Sequence, residues 1–204
     1  MPFVWSRRHI FDGRPAGFEG IYYGKNPTVN WASYIPIQNR PITYLEIGCL
    51  HGANTIHIAN SYCKHPESKI YCVDPWMDYE EYPEYKGQQD VGWKIFNKNI
   101  QNSGHVSKFV VNRGFSDDVV PTFQDEFFDL IFVDGNHETD YVYRDGAMSL
   151  QKVKKGGHIV FDDYIHTWSQ TMKGIDMFLS DYKDELDVLV KNTTTFFQVI
   201  VKKK

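Results

Sequence analysis

Residues 128–138, FDLIFVDGNHE, decide how this chain is read. Residues 130–133, Leu-Ile-Phe-Val, form an unbroken apolar run with no polar residue at alternate positions, so both faces of the segment call for cover. A run of this length stopped by Gly135 is a buried strand. The strand ends in Asp134-Gly135-Asn136-His137, which sets an acid and an imidazole three positions apart. Such an end either turns the chain or presents chemistry, and the other strand ends decide which.

Outward from this stretch the chain alternates. Strands are predicted at 43–49, 69–75, 106–114 and 158–164, with a strand pair over 187–203. Helices are predicted at 53–64, 93–104, 116–123 (capped by Ser116), 139–157 (ending at the Gly156-Gly157 pair) and 169–183. Apolar strands alternating with helices predict a doubly wound α/β fold. The expected sheet is seven-stranded and mostly parallel, with helices on both faces and an antiparallel C-terminal edge strand. In such folds ligands bind at the carboxyl ends of the strands. Five successive ends read Glu46-Ile47-Gly48, Asp74-Pro75, Arg113-Gly114, Asp134-Gly135 and Asp162-Asp163, so acids crowd one rim.

A length of 204 residues fits one domain over 1–204, with its core at 42–201. Residues 1–40, rich in Gly, Pro and aromatics, read as a lid or edge segment in which Asn30 caps a short helix. Residues 76–93 read as an insertion. With 22 basic against 26 acidic residues the net charge is −4, so neither nucleic acid nor an anionic membrane is an expected partner. Cys49, Cys63 and Cys72 lack metal-ligand spacing and read as reduced thiols. With no long apolar run and no leader pattern, the expectation is a soluble, cytoplasmic protein. Aromatic residues near the N-terminus are compatible with a homodimer.

The first turn selects the ligand class. A dinucleotide fingerprint starting at Gly48 would need Gly where Leu50 and Ala53 stand, and no phosphate loop is present. Glu46-x-Gly48-x-x-x-Gly52 followed by Asp74 suits a ligand without phosphates. Gly48 lets the backbone turn close to it, Asp74 accepts ribose hydroxyls, and Glu46 takes an amino group or holds the loop. An acidic rim favours a cation. S-adenosylmethionine, with adenosine, amino acid and sulfonium, meets these demands.

YLEIGCLHGANT, YCVDPW, NRGFSDDVVPTF, FDLIFVDGNHE and GGHIVFDDY together resemble the class I S-adenosylmethionine-dependent methyltransferases, and especially the metal-dependent macrocin-type sugar O-methyltransferases. The resemblance covers roughly 42–201. It implies that Gly48 and Gly52 surround the methionine part with His51 nearby, that Asp74 holds the ribose, and that Trp76 covers the adenine or ribose. It also implies that Gly114, Phe115 and Ser116 lie along the adenine edge. Core packing is the competing reading for Trp76 and Phe115. Asp117 and Asp118 read as first-turn helix acids.

Three carboxylates converging on the rim, Asp134, Asp162 and Asp163, would repel one another without a cation or protons. An all-oxygen set selects Mg²⁺, or Mn²⁺ or Ca²⁺, over zinc, and the resemblance implies Mg²⁺. A cation holding a diol would lower the pKa of its hydroxyl. His137, at the D-x-x-H spacing of related sugar methyltransferases, is the expected general base beside Asp134; His166 is a second candidate. Where some relatives carry another Asp, this chain has Asn136.

The insertion, WMDYEEYPEYKGQQDVGW, offers aromatic faces and acids that suit a sugar or glycan acceptor, and Tyr22, Tyr23 and Trp31 could close the other side. A catechol or phenol is the rival acceptor. A non-catalytic adenosine-binding module and an NAD-dependent reductase are the alternatives of other classes.

Overall fold

A computed structural model describes residues 17–20, 27–79, 81, 83 and 86–204. Its strands are β1 (Thr43–Ile47), β2 (Lys69–Asp74), β3 (Phe109–Arg113), β4 (Phe128–Val133), β5 (Val153–Phe161), β6 (Leu186–Lys191) and β7 (Val199–Lys203). The helices are α1 (Ala53–Asn60), α2 (Gln89–Asn102), α3 (Ser116–Val119), α4 (Thr139–Lys152) and α5 (Ser169–Asp181). One seven-stranded sheet runs β3-β2-β1-β4-β5-β7-β6. The first five of these are parallel, and β7 lies antiparallel to both β5 and β6. This is the predicted doubly wound sheet with its antiparallel edge.

The apolar runs explain the layering. Successive strand residues point to opposite faces. Tyr44, Leu130, Phe132, Val160 and Ile200 enter one core with Ile56, Ile58 and Ala59 of α1 and Phe96 and Ile100 of α2. Leu45, Ile131, Val133, Ile159, Phe161 and Val201 enter the other with Val142 and Leu150 of α4 and Ile175 and Phe178 of α5. Because neighbours in sequence serve opposite cores, both must be apolar, and the runs are continuous rather than alternating.

Several boundaries differ from the sequence reading, three of them by a change of element. The helix expected to end at the glycine pair ends at Lys152, and β5 runs through Gly156 and Gly157. The pair forms an irregularity opposite Phe128–Leu130, where a Cβ on Gly157 would lie 2.9 Å from the Lys154 carbonyl oxygen. Helix α2 begins at Gln89, inside the predicted insertion. The first short helix is a 3-10 turn over Pro27–Ser33 that contains Asn30 instead of being capped by it. Its Trp31, expected near the acceptor, is fully buried against Tyr62 and Phe132. Tyr22 and Tyr23 lie outside the described residues. Among the described residues no helix is long and apolar enough to cross a membrane.

Strand order reverses between β1 and β4, which leaves a crevice at their carboxyl ends. The turns after β1, β2, β4 and β5 meet there.

Candidate active site

The turn after β1 is fixed by contact with the turn after β4. Gly48 has φ +85°, and a Cβ there would lie 1.9 Å from the Asp134 carbonyl oxygen, so no larger residue fits. Leu50 also adopts a left-handed φ, 46°, as do Trp76 after β2 (40°) and Asp163 after β5 (54°). Three non-glycine residues held in this sparsely populated region at strand ends mark turns fixed by their surroundings.

Asp74 braces the β1 turn. Its Oδ2 accepts the backbone N–H groups of Cys49 and Leu50, each at 2.9 Å, and its Oδ1 accepts that of Trp76 at 2.9 Å. Burial raises its pKa, and those three N–H donors act against the rise. A carboxylate has about four lone-pair sites, so capacity for a ribose hydroxyl remains. Helix α1 opens at Gly52, directly after the β1 turn, with no side-chain cap, so its N-terminus is an anion-favouring end. Gly114 bonds the Asp74 carbonyl, and Phe115 after it is 38% exposed. Ser116 is hydrogen-bonded with Asp145 of α4 and is the first residue of α3, with Phe115 at the cap position.

Other predicted ligand contacts turn inward. Trp76 is 1% exposed and packs on Trp93 and Phe96, with its indole N–H donating to the Leu50 carbonyl at 2.8 Å; core packing is its role. His51 is equally buried, its ring lying beneath Gly20, and burial lowers its pKa to about 4. Both side chains follow the turn into the core because the left-handed residues redirect the chain.

Glu46 also points inward and holds the loop. Its Oε1 accepts from the Thr55 hydroxyl at 2.8 Å, and its Oε2 from the Tyr44 hydroxyl at 3.0 Å and Asn54 Nδ2 at 3.2 Å. Burial pushes its carboxyl up to about 8, against those three bonds. The folded state therefore keeps a proton that the unfolded chain releases near 4.5, so stability contributed by this group falls as pH rises from about 4.5 to about 8. Glu46→Gln should flatten that dependence: melting curves from pH 5 to pH 8 should show the variant gaining on the wild type with rising pH. A constant gap would contradict the raised pKa.

Asp134, His137 and Asp163 come together on the rim, and their ligand atoms all lie within 4.8 Å of one another. Burial, then Asp162 and Asp163, raise the Asp134 pKa. Asp162 is near but differently engaged. Its Oδ1 accepts from Gln198 Nε2 at 3.1 Å, and Gln198 in turn accepts the Trp31 indole N–H at 2.8 Å. Burial, then Asp163, push Asp162 to about 7. The expected triad of acids thus divides: Asp134 and Asp163 stand with His137, while Asp162 is tied to the β7 side.

His137 is bonded at both ring nitrogens, Nδ1 to Glu81 Oε1 at 2.8 Å and Nε2 to Asp163 Oδ2 at 2.9 Å. Burial opposes its charge, but the bonds to Asp163 and Glu81 prevail and raise it to about 9. In this arrangement both ring nitrogens are protonated and the ring is charged at neutral pH, so the expected general base stands in its acid form. The Trp168 ring stacks on it at 4.5 Å and 26°. Asn136 uses its Oδ1 to accept the Glu138 N–H at 2.7 Å, a turn-forming role. His166 is exposed and lines a groove along α5 with Ser169, Lys173 and Met177.

A family model described as a methyltransferase domain matches residues 45–164, more than half of the chain and all four of these turns. The chain belongs to that methyltransferase family. The methyltransferase is 28% identical over 145 residues to uncharacterized protein R132 of Acanthamoeba polyphaga mimivirus, a match covering 69% of this chain; it spans 60% of that relative's length. Its fold is similar to the Bacillus cereus O-methyltransferase in complex with SAH, at TM-score 0.60 and 16% identity over 79% of this chain and 74% of that one. It is also similar to the O-methyltransferase TomG of Streptomyces achromogenes in complex with SAM, at TM-score 0.62 and 15% identity over 79% and 72%.

Sequence reasoning missed two members of the methyltransferase's site. Glu81 is one of five acids in the insertion, and nothing in its spacing singles it out. Gln198, fully buried, could have been found as the lone polar residue within the apolar stretch FFQVIV.

Proposed function

We propose that this methyltransferase transfers a methyl group from S-adenosylmethionine to a hydroxyl of a sugar or glycan, assisted by a divalent cation. The observation that carries the reading is the meeting of Asp134, His137 and Asp163 beside the Gly48 turn. The sites fit both groups. The uncapped end of α1 suits the carboxylate of an amino acid, and the remaining capacity of Asp74 suits a ribose hydroxyl. The exposed Phe115 offers a flat face for the adenine. The carboxylates of Asp134 and Asp163 form an oxygen donor pair that suits Mg²⁺ or Mn²⁺, which leaves His137 for the acceptor.

S-adenosylmethionine, when bound, supplies a methyl group on an electrophilic sulfonium. The cation, when bound, supplies Lewis acidity that lowers the pKa of an acceptor hydroxyl. The chain's own residues do the rest. Asp134 and Asp163 set the charge of the rim, and the acceptor oxygen forms its bond to the methyl carbon as the carbon–sulfur bond breaks. The hydroxyl proton passes to His137 Nε2, which serves as base in a state where Asp163 no longer bonds that nitrogen. Losing one carboxylate partner also lowers the imidazole pKa toward the working range. Trp168 beside His137 offers a face for an acceptor ring.

The test is a methyl-transfer assay against a panel of glycans and phenols, with Mg²⁺ and with chelator. Transfer to glycans that chelator abolishes and Mg²⁺ restores is the expected result. Transfer confined to phenols would replace the acceptor class, and chelator-resistant turnover would remove the cation.

A further inference from the structure

Glu81 lies in the connection between β2 and α2, 56 residues before His137. Its side chain is 9% exposed, and among the described residues the hydrogen bonds of its carboxylate go to His137 alone. Oε1 accepts the backbone N–H of His137 at 3.0 Å and bonds Nδ1 at 2.8 Å. Oε2 is buried and takes no donor among the described residues. A buried acceptor left without a donor is costly. A carboxylate serving only to pin the connection to the body would do better with both oxygens bonded. Here the bonding is concentrated on one residue, and on the backbone and ring of that residue at once.

The rest of the ring is equally confined. Asp163 Oδ2 lies 2.9 Å from Nε2, Trp168 covers one face, and the Thr171 hydroxyl donates to the His137 carbonyl at 3.2 Å. A carboxylate oxygen accepts and does not donate, so Nδ1 beside Glu81 must carry hydrogen. By the same rule Nε2 beside Asp163 carries hydrogen in the charged ring. Glu81 is 9% exposed against 36% for Asp163, so its bond is the less screened, and on neutralisation the ring keeps the Nδ1 hydrogen and leaves the lone pair on Nε2, the nitrogen on the side of Asp134 and Asp163.

We propose that Glu81 is the positioning residue for His137, fixing its Nδ1–H tautomer so that Nε2 faces the acceptor hydroxyl. The role rests on the reading of His137 as the base of methyl transfer. Without Glu81, the neutral ring reverts toward the Nε2–H form that histidine favours in water, and the wrong nitrogen faces the acceptor.

The test uses the full chain labelled with ¹⁵N-histidine, with long-range ¹H–¹⁵N spectra recorded above the pH at which His137 loses its charge. The wild type is expected to show Nδ1 as the hydrogen-bearing nitrogen. Glu81→Ala is expected to shift the ring toward Nε2–H and to lower kcat roughly 10–100-fold, the usual effect of removing a partner that orients a functional histidine, with S-adenosylmethionine affinity unchanged. Glu81→Gln, whose amide oxygen still accepts from Nδ1, is expected to recover most of both. Nε2–H in the wild type, or an unaltered tautomer in Glu81→Ala, overturns the role even if methyl transfer is intact. A wild-type chain that transfers no methyl group to the panel overturns the function, and the role with it. The wild-type spectrum decides the tautomer even if the alanine variant does not fold.

Discussion

Gly48→Ala is expected to destabilise the fold by roughly 2–5 kcal/mol and to abolish S-adenosylmethionine binding. Two costs add. A side chain at φ +85° is strained by about 1–2 kcal/mol. The new Cβ would also sit 1.9 Å from the Asp134 carbonyl oxygen, far inside contact distance, and forcing an atom into packed space costs about 1–3 kcal/mol or more. The obstacle is backbone, which cannot swing aside as the end of a side chain can. Relief requires the β1 and β4 turns to part, and Asp134 moves with them. The loss is a large share of a typical stability of about 5–15 kcal/mol. Thermal melting and calorimetric titration with S-adenosylmethionine measure both effects. A variant that melts with the wild type and binds as well contradicts the close approach of the two turns.

His137→Ala is expected to lower kcat roughly 10²–10⁴-fold, the range for loss of a positioned general base. S-adenosylmethionine affinity should change little, because His137 is bonded to Glu81 and Asp163, whereas the first turn is held by Asp74. The variant also removes the cationic ring from beside Glu81 and Asp163, so Mg²⁺ affinity should rise, not fall, with Asp134 and Asp163 as its ligands. Steady-state kinetics and metal titration separate these effects. Near-wild-type turnover would remove His137 from the chemistry.

The architecture was legible because its signals are local. Leu130 to Val133 could be read as a doubly covered strand without knowing what covered it, since a period of two sends neighbours to opposite faces whatever the partners are. Asp74, Asp134, Asp162 and Asp163 could likewise be placed on one rim, because parallel strands end on the same side of a sheet. The glycine pair at 156–157 misled because Gly stops helices and also permits irregular strands, and only the partner strand decides between them.

The sequence by itself determined the sheet, its two cores and the crowding of acids at one end, all consequences of chain period and strand direction. Only the tertiary structure decided which way each strand-end side chain turned. Left-handed turns at Leu50, Trp76 and Asp163 redirected the chain, and Glu46, His51 and Trp76 packed inward. Gln198 drew Asp162 toward β7 while Glu81, 56 residues from His137, closed on the imidazole. Those contacts join residues distant in the chain, and their geometry depends on the folded positions of several elements at once, so no local pattern encodes them.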